Sequence, residues 1–202
     1  MKHIFIQGTN PYTLLLLHGT GGSEKDLLPL AKVIDPNASV LSLRGNVCEY
    51  GLNRFFRRLS EGVLDEEDLI LRTNEINEFI DEASITYLFD RQNVIAIGYS
   101  NGAIIAANLL FHSKDALKGA ILHHPVVPRR NFKLPDLRNK AIFITASKND
   151  PQCPLKETND LNLLYRNANA IVEVFWENHE HRLMPSEVKA AKRWYQNHIL
   201  SS

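Results

Sequence analysis

The residue types that could perform acyl-transfer chemistry meet at one predicted turn, Gly98-Tyr99-Ser100-Asn101-Gly102. A short apolar, β-prone run ends at Gly98, and an Ala-rich apolar run typical of a buried helix begins just after Ser100. Such a turn brings the backbone before and after the serine close together, so a Cβ at Gly98 or Gly102 would clash. The spacing predicts a nucleophile elbow with Ser100 at its tip; the alternative is a glycine-rich turn with a helix-capping serine.

A serine nucleophile needs two further groups. The hydroxyl is a poor nucleophile at neutral pH, so it needs an imidazole to accept its proton and a carboxylate to hold that imidazole. Asp150 follows one predicted strand, and His181, with His179 as the alternative, follows the next. Because the carboxyl ends of parallel strands meet at one edge of a sheet, we expect Ser100, Asp150 and His181 to form a triad. Asp150 taken alone would read as a turn residue before a proline.

A glycine-rich segment could supply the donors that stabilise an oxyanion. His18-Gly19-Thr20-Gly21-Gly22-Ser23 follows a buried strand, and its three glycines allow backbone N–H groups to turn toward one point. We expect the oxyanion hole to consist of the N–H groups of Thr20 and Asn101. A flexible strand-helix connection is the alternative, and His18 is expected to be structural.

The elements that must position these groups alternate along the chain. Strands are predicted over residues 3–7, 12–17, 39–43, 118–122, 141–146 and 170–176, with one more ending at Gly98. Helices are predicted over residues 24–33, 65–83, 156–167 and 185–198, with one more from the elbow to about His112. This alternation predicts an α/β fold: a three-layer sandwich with a mainly parallel central sheet and helices on both faces.

Residues 44–64 form the longest stretch without clear periodicity, and we expect this loop to help wall the active site. Residues 125–138 form a second connection whose path over the site determines the pocket volume. The substrate-binding candidates are five residues of these and neighbouring loops: Gly19, Arg44, Phe55, Phe56 and His124. Phe55 and Phe56 could instead anchor the loop in the core.

Composition restricts the class of protein. With 202 residues, of which 44% are hydrophobic, the chain is expected to form one domain over 1–202. Lys plus Arg and Asp plus Glu both total 23, and the resulting zero net charge argues against nucleic acid as a partner. The apolar runs are too short for a signal peptide or membrane insertion, and two cysteines without disulfide or zinc spacing indicate a cytoplasmic protein. The oligomeric state stays open, a homodimer included.

The motifs together resemble one enzyme family. The resemblance rests on His18-Gly19-Thr20-Gly21-Gly22, Asp26-Leu27-Leu28-Pro29-Leu30-Ala31, Arg44-Gly45, Gly98-Tyr99-Ser100-Asn101-Gly102, Asn149-Asp150 and His181-Arg182-Leu183. These resemble the phospholipase/carboxylesterase family of α/β-hydrolases, and residues 53–59 resemble the small bacterial esterases associated with resistance to hydroquinones and catechols. The resemblance implies a Ser100-Asp150-His181 triad, no large cap domain, and no metal or organic cofactor. Glu180 precedes His181 where the family usually has glycine.

Three functions are compatible with these residues. The first is a carboxylesterase that cleaves small carboxylic esters through an acyl-Ser100 intermediate. The second is a lysophospholipase or acyl thioesterase acting on longer chains, which requires an elongated apolar groove beside residues 45–64. The third is a non-catalytic protein that binds a small aromatic molecule on the hydrolase fold, a reading that an intact triad disfavours. A histidine metal cluster is disfavoured because no carboxylates stand at a recognised ligand spacing.

Overall fold

A seven-stranded sheet forms the centre of the computed structural model, which describes residues 1–60 and 62–201; Glu61 of the predicted loop and the terminal Ser202 lie outside the described residues. The strands are β1 (His3–Ile6), β2 (Thr13–Leu17), β3 (Ser39–Leu43), β4 (Val47–Glu49), β5 (Leu52–Arg54), β6 (Arg58–Ser60), β7 (Val63–Leu64), β8 (Val94–Tyr99), β9 (Gly119–His123), β10 (Ala141–Ser147) and β11 (Ile171–Glu177). The sheet order is β1-β3-β2-β8-β9-β10-β11. Only the β1–β3 pair within it is antiparallel, which confirms the mainly parallel sheet.

Helices cover both faces of the sheet. They are α1 (Leu28–Ile34), α2 (Glu66–Tyr87), α3 (Asn101–His112), α4 (Leu155–Asn167) and α5 (Pro185–Tyr195). The sheet strands are buried on both faces: in β8, Val94 and Ala96 pack in the core beneath α2, α3 and α4, while Ile95 and Ile97 pack beneath α1 and α5. This two-sided burial explains why the strands read as continuous apolar runs, and it confirms the three-layer sandwich.

The loop over residues 44–64 contains two short antiparallel strand pairs, β4–β5 and β6–β7, where the sequence predicts irregular structure. Strands of two or three residues are too short to produce a recognisable alternation. No large cap domain is evident in the described residues, and none of the helices there combines the length and apolar character that crossing a membrane requires.

Two helix boundaries differ from the prediction by four residues. Helix α1 begins at Leu28 rather than at residue 24, with Pro29 in its first turn, where the missing N–H of proline costs no helical hydrogen bond. Helix α2 continues four residues past the predicted end at Ala83. It ends at Leu88, which adopts a left-handed conformation with φ of 58° and donates its N–H to the carbonyl of Ser84. A left-handed leucine end carries none of the glycine or asparagine signal that usually marks a helix terminus.

The turn between β8 and α3 has the geometry of the predicted elbow. Ser100 has φ of 51° and ψ of −114°, a conformation that is strained for a residue with a side chain. A Cβ on Gly98 would lie 2.5 Å from the carbonyl oxygen of Gly102, and a Cβ on Gly102 would overlap the carbonyl oxygen of Leu17 in β2. The first turn of α3 therefore packs directly against the end of the neighbouring strand, which only glycine permits.

Replacing Gly102 with alanine should destabilise the fold strongly, because the clashing Leu17 oxygen belongs to the backbone of a central strand. We expect Gly102→Ala to lower the free energy of unfolding by at least about 3 kcal/mol, the upper end for an overpacked site. Gly51→Ala is the control for a substitution without a clash: Gly51 has a positive φ of 79°, and no atom lies within 4 Å of its added Cβ. Its cost should be about 1 kcal/mol from backbone strain alone. Equal urea midpoints for the two variants would contradict this explanation.

Candidate active site

Ser100, His181 and Asp150 are joined by hydrogen bonds. The Nε2 atom of His181 lies 2.8 Å from Ser100 Oγ, and its Nδ1 atom lies 2.6 Å from Asp150 Oδ2. Each side chain follows a different strand of the sheet: Ser100 follows β8, Asp150 follows β10, and His181 lies between β11 and α5. The structure thus brings together the three residues that the sequence predicts as a triad.

The charge on Asp150 determines the tautomer of His181. Burial alone would raise the pKa of Asp150, but hydrogen bonds from His124 and His181 outweigh burial and hold the pKa well below its usual range. Backbone N–H groups of Gln152 and Cys153 also donate to its Oδ1 atom. Because an ionised carboxylate can only accept, His181 must carry its proton on Nδ1. Its Nε2 atom is then free to accept the Ser100 hydroxyl proton.

The alternative histidine lies away from the serine. The imidazole of His179 is 43% exposed and its Nε2 atom lies 3.8 Å from a carboxylate oxygen of Glu177. Its backbone carbonyl accepts a hydrogen bond from Ser147 Oγ. In the structure His181, and not His179, reaches Ser100.

Backbone N–H groups near Ser100 come from two elements. Asn101 is the first residue of α3, so its N–H belongs to the first-turn donors that have no acceptor within the helix. Thr20 lies in the loop after β2, and its hydroxyl accepts a 2.8 Å hydrogen bond from the guanidinium of Arg54. The next two amides in this loop are already used, since Gly21 donates to Asn53 and Gly22 donates to the carbonyl of Gly19.

His18 supports the loop from beneath. Its Nδ1 atom lies 2.6 Å from the Gly19 carbonyl, and its Nε2 atom accepts the N–H of Gly45 at 3.1 Å. Burial lowers the pKa of His18, which favours the neutral imidazole that can donate at one nitrogen and accept at the other. The side chain is buried and contacts the Phe55 ring at a centroid distance of 4.7 Å. Its contacts are those of the structural residue that the sequence predicts.

A cavity of about 590 Å³ opens at the serine. Residues of the 44–64 loop and the segment after β9 line it, as the sequence predicts, together with Ser100, Asn101 and His181. One part of the wall is apolar: Val63, Leu64, Ile104, Val126, Val127, Pro128, Pro151 and Pro154. Charged side chains stand among them: Arg54, Arg58, Glu66, Arg130 and Glu157. The cavity is large enough for a small ester and carries polar groups at several places on its wall.

Comparison with known proteins identifies the family. The phospholipase/carboxylesterase family model matches residues 7–199. The chain belongs to this family. It is 54% identical to MhqD of Bacillus subtilis (strain 168), which is named as a hydrolase, over 99% of this chain and all of that protein. The fold is that of α/β-hydrolases, and the chain is a carboxylic ester hydrolase.

Solved structures of similar proteins agree closely with this fold. The Bacillus cereus carboxylesterase is 59% identical and superposes with a TM-score of 0.97, covering 98% of this chain and 95% of that one. A structure of YahD with malic acid is 30% identical, with a TM-score of 0.93 and coverage of 98% of both chains.

In this phospholipase/carboxylesterase family member, four of the five substrate-binding candidates, Gly19, Arg44, Phe55 and Phe56, lie outside the cavity lining. Arg44 forms a two-point ion pair with the buried Glu24, with Nε 2.5 Å from Oε2. Phe55 and Phe56 are 2% and 0% exposed and belong to the core, so they anchor the loop. Because large aromatic side chains stabilise a fold strongly when they are buried, this position favours the interpretation that Phe55 and Phe56 anchor the loop.

Gly19 and His124 lie in different surroundings. Gly19 lines a smaller depression together with Thr20 and Tyr99, and a Cβ added to Gly19 would lie 2.8 Å from the Tyr99 ring. His124 lines the cavity, yet it is only 1% exposed and its imidazole faces Asp150. His124 therefore contacts the triad as well as the cavity.

Sequence reasoning missed several residues around the site. The Tyr99 hydroxyl donates to the His181 carbonyl at 3.1 Å, and its ring stacks on the imidazole at 5.6 Å, so it holds the histidine loop. Arg54 orients Thr20, and the carboxylate of Glu187 lies behind His124. Tyr99 lies in the predicted elbow and Arg54 in the predicted loop, whereas Glu187 has the sequence appearance of an ordinary acid in the first turn of a helix.

Three side chains at the active site also have atoms that could bind a metal ion. Ligand atoms of His124, Asp150 and His181 lie within 4.8 Å of one another. Asp150 Oδ2, however, accepts hydrogen bonds from the Nδ1 atoms of both imidazoles. A metal ion there would have to displace both of those protons, so the cluster fits a hydrogen-bonded network better than a metal centre.

The two free cysteines should differ in reactivity. Cys153 is fully buried, its thiol donates to the carbonyl of Pro125 at 2.6 Å, and burial raises its pKa to about 12. Cys48 is exposed. We expect a chromogenic disulfide reagent at pH 8 to modify Cys48 alone in the folded protein and both thiols in denaturant, because the thiolate is the reactive form. Cys48→Ser should remove the reaction of the folded protein; rapid modification of Cys153 in that variant would contradict the prediction.

Proposed function

We propose that the chain is a serine carboxylesterase that hydrolyses small carboxylic esters through an acyl-Ser100 intermediate. The observation that supports this most is the linkage of Ser100 Oγ to His181 Nε2 at 2.8 Å and of His181 Nδ1 to Asp150 at 2.6 Å. A serine beside a correctly oriented neutral imidazole is an activated nucleophile, and membership of the family supplies the class of bond that it attacks.

In the first half of the reaction, Ser100 Oγ bonds to the carbonyl carbon of the ester while its proton passes to His181 Nε2. The charge on Asp150 stabilises the imidazolium that results. The tetrahedral intermediate then collapses, the carbon–oxygen bond to the alcohol breaks, and His181 returns the proton to the departing alkoxide. The acyl group stays on Ser100.

In the second half, water takes the place of the alcohol. His181 accepts a proton from the water as its oxygen bonds to the acyl carbon, and the bond from that carbon to Ser100 Oγ then breaks. The carboxylic acid is released, and the proton on His181 returns to Ser100. No cofactor is needed for either half.

The oxyanion of both tetrahedral intermediates would accept hydrogen bonds from the N–H groups of Asn101 and Thr20. The strand-to-helix turn fixes the Asn101 amide, and the contact of Arg54 with the Thr20 hydroxyl restrains the second loop. Donors that are already in place need no reorganisation when charge develops, and each contributes about a hundredfold to a thousandfold in rate.

The histidine and serine assignments can be tested together with p-nitrophenyl acetate. Ser100→Ala and His181→Ala should each reduce kcat by about a millionfold, as expected for the nucleophile and base of a triad. His179→Ala is the matched control, because its exposed imidazole lies on the same loop but does not contact Ser100. Its kcat should match that of the wild type.

Appreciable turnover by Ser100→Ala would refute the acyl-Ser100 mechanism. A wild-type protein that binds small aromatic molecules but hydrolyses none of the esters offered would instead favour the non-catalytic binding function.

The cavity favours short acyl chains. The lining contains charged side chains such as Arg58 and Glu157 as well as apolar ones such as Val126 and Ile104, so a long acyl chain would lie against charged groups. We expect kcat/KM across a series of p-nitrophenyl esters to peak at short chains and to fall beyond about eight carbons, since added methylenes would lie against polar groups. A maximum at longer chains would favour the lysophospholipase or thioesterase function.

A further inference from the structure

His124 stands in an unusual place for a cavity-wall residue. It is the first residue after β9, it has a positive φ of 54°, and its N–H donates to the carbonyl of Thr145 in β10. Its imidazole is completely buried. A strained backbone conformation at a buried position persists only where the surrounding structure demands it, and such positions concentrate at functional sites.

The imidazole of His124 lies between two carboxylates. Its Nδ1 atom is 2.9 Å from Asp150 Oδ2, the same oxygen that His181 contacts, and its Nε2 atom is 2.9 Å from Glu187 Oε1. The Glu187 side chain is fully buried at the third position of α5, where its other oxygen accepts the N–H of Met184. A buried carboxylate is costly unless it is paired, so Glu187 requires a cation at this place.

Counting protons determines the form of His124. A neutral imidazole has one N–H, so one of the two carboxylates would face a nitrogen lone pair at 2.9 Å. An imidazolium has two N–H groups: Nδ1–H donates to Asp150, and the positive ring forms an ion pair with Glu187, whose Oε1 atom and the facing Nε2 atom have no other hydrogen-bond partner in the described residues. The geometry therefore matches the protonated form, in the charge sequence Glu187 negative, His124 positive, Asp150 negative.

We propose that His124 is a positioning residue for the triad: as an imidazolium bridging Asp150 and Glu187, it holds the Asp150 carboxylate in the orientation that His181 requires. The proposal rests on the proposed function of Ser100, Asp150 and His181. It adds two residues, His124 and Glu187, to the three that a triad contains.

Other titratable groups also face His124. On its own strand His123 is buried, with Nδ1 2.8 Å from the Thr145 hydroxyl, and burial lowers its pKa to about 4, so it stays neutral in ordinary assays. Tyr99 at the end of β8 contacts His124 edge-on at 6.0 Å, and burial raises its pKa. The His181 ring lies at 5.2 Å. The charged groups of the bridge are therefore His124, Asp150 and Glu187.

The bridge has a pH limit. Burial by itself would lower the pKa of His124, but the contacts with Asp150 and Glu187 outweigh it and raise the pKa to about 9. Because the folded-state pKa is raised, the stabilisation is complete below the ordinary value of 6.5 and is lost as the pH rises through about 9. Above that pH one carboxylate loses its donor, and Asp150 is no longer held from both sides.

The experiment measures kcat and KM for p-nitrophenyl butyrate as functions of pH, with the uncatalysed rate subtracted, for the wild type and three variants. The wild type should show an alkaline decrease in kcat near pH 9. Glu187→Gln keeps an oxygen for the Met184 N–H but removes the charge, so the decrease should move down by about one pH unit or more. His124→Asn keeps a donor toward Asp150 but does not titrate, so the alkaline decrease in kcat should vanish. In this variant kcat should also be about tenfold to a hundredfold lower than in the wild type, with little change in KM.

Lys189→Gln is the control, because Lys189 is exposed two residues further along the same helix. It should keep the wild-type pH profile. Wild-type kcat and an unmoved alkaline decrease in both His124→Asn and Glu187→Gln would overturn the proposal. That result differs from a failure of the proposed function, which would appear as activity in Ser100→Ala.

A second measurement does not depend on the variants folding. Nuclear magnetic resonance of wild-type protein with nitrogen-15 in its histidines should show, at pH 8, an imidazole with both nitrogens protonated, well above the ordinary His pKa of 6.5. Assignment of that signal to His124 through its Cα correlations would support the proposal. A His124 imidazole with a single bound proton at pH 8 would overturn it.

Discussion

The arrangement of the site depends on one close backbone contact, that of the first turn of α3 with the end of β2. Gly102 packs against the Leu17 carbonyl, and a side chain there would force the helix away from the strand. Because the Thr20 loop begins immediately after β2 and Ser100 immediately precedes α3, this contact places the predicted nucleophile beside the predicted oxyanion donors. The strained φ of Ser100 is the local cost of this packing, and the buried sheet on both sides supports it.

Charge pairing governs the other side of the site. Two buried carboxylates, Asp150 and Glu187, approach one imidazole, and Asp150 also holds a second. In a buried environment each carboxylate needs donors to stay ionised, and the two histidines provide them. Asp150 thereby remains an acceptor and keeps His181 in the tautomer that can accept a proton from Ser100. The packing of α5 against the sheet sets this arrangement, because Glu187 lies in its first turn.

Much of the fold and part of the site can be predicted from local sequence. The strands are apolar runs and the helices have clear periodicity, so alternation alone indicates the layered α/β fold. Gly98, Ser100 and Gly102 form a motif in which each residue type has a mechanical reason, and the parallel sheet explains why Asp150 and His181 meet Ser100.

The remainder depends on contacts between distant parts of the chain. Arg44 is taken by Glu24, twenty residues away, and no local pattern records that pairing. The sequence allows Phe55 and Phe56 either to face a ligand or to anchor the loop, and only the folded loop shows them in the core. Glu187 has the sequence appearance of any acid in a first helical turn. Its importance emerges only when α5 brings it to His124, which is why the triad was predictable and its buried supporting pair was not.

The central claim is that His181 activates the Ser100 hydroxyl, and the most direct measurement is peptide mass mapping after treatment with an alkyl fluorophosphonate, which phosphonylates activated serines. We predict one phosphonyl group per chain, carried by Ser100, and little labelling in the same time when His181 is replaced by alanine. An unlabelled Ser100, or a phosphonyl group on a different residue, would contradict the claim.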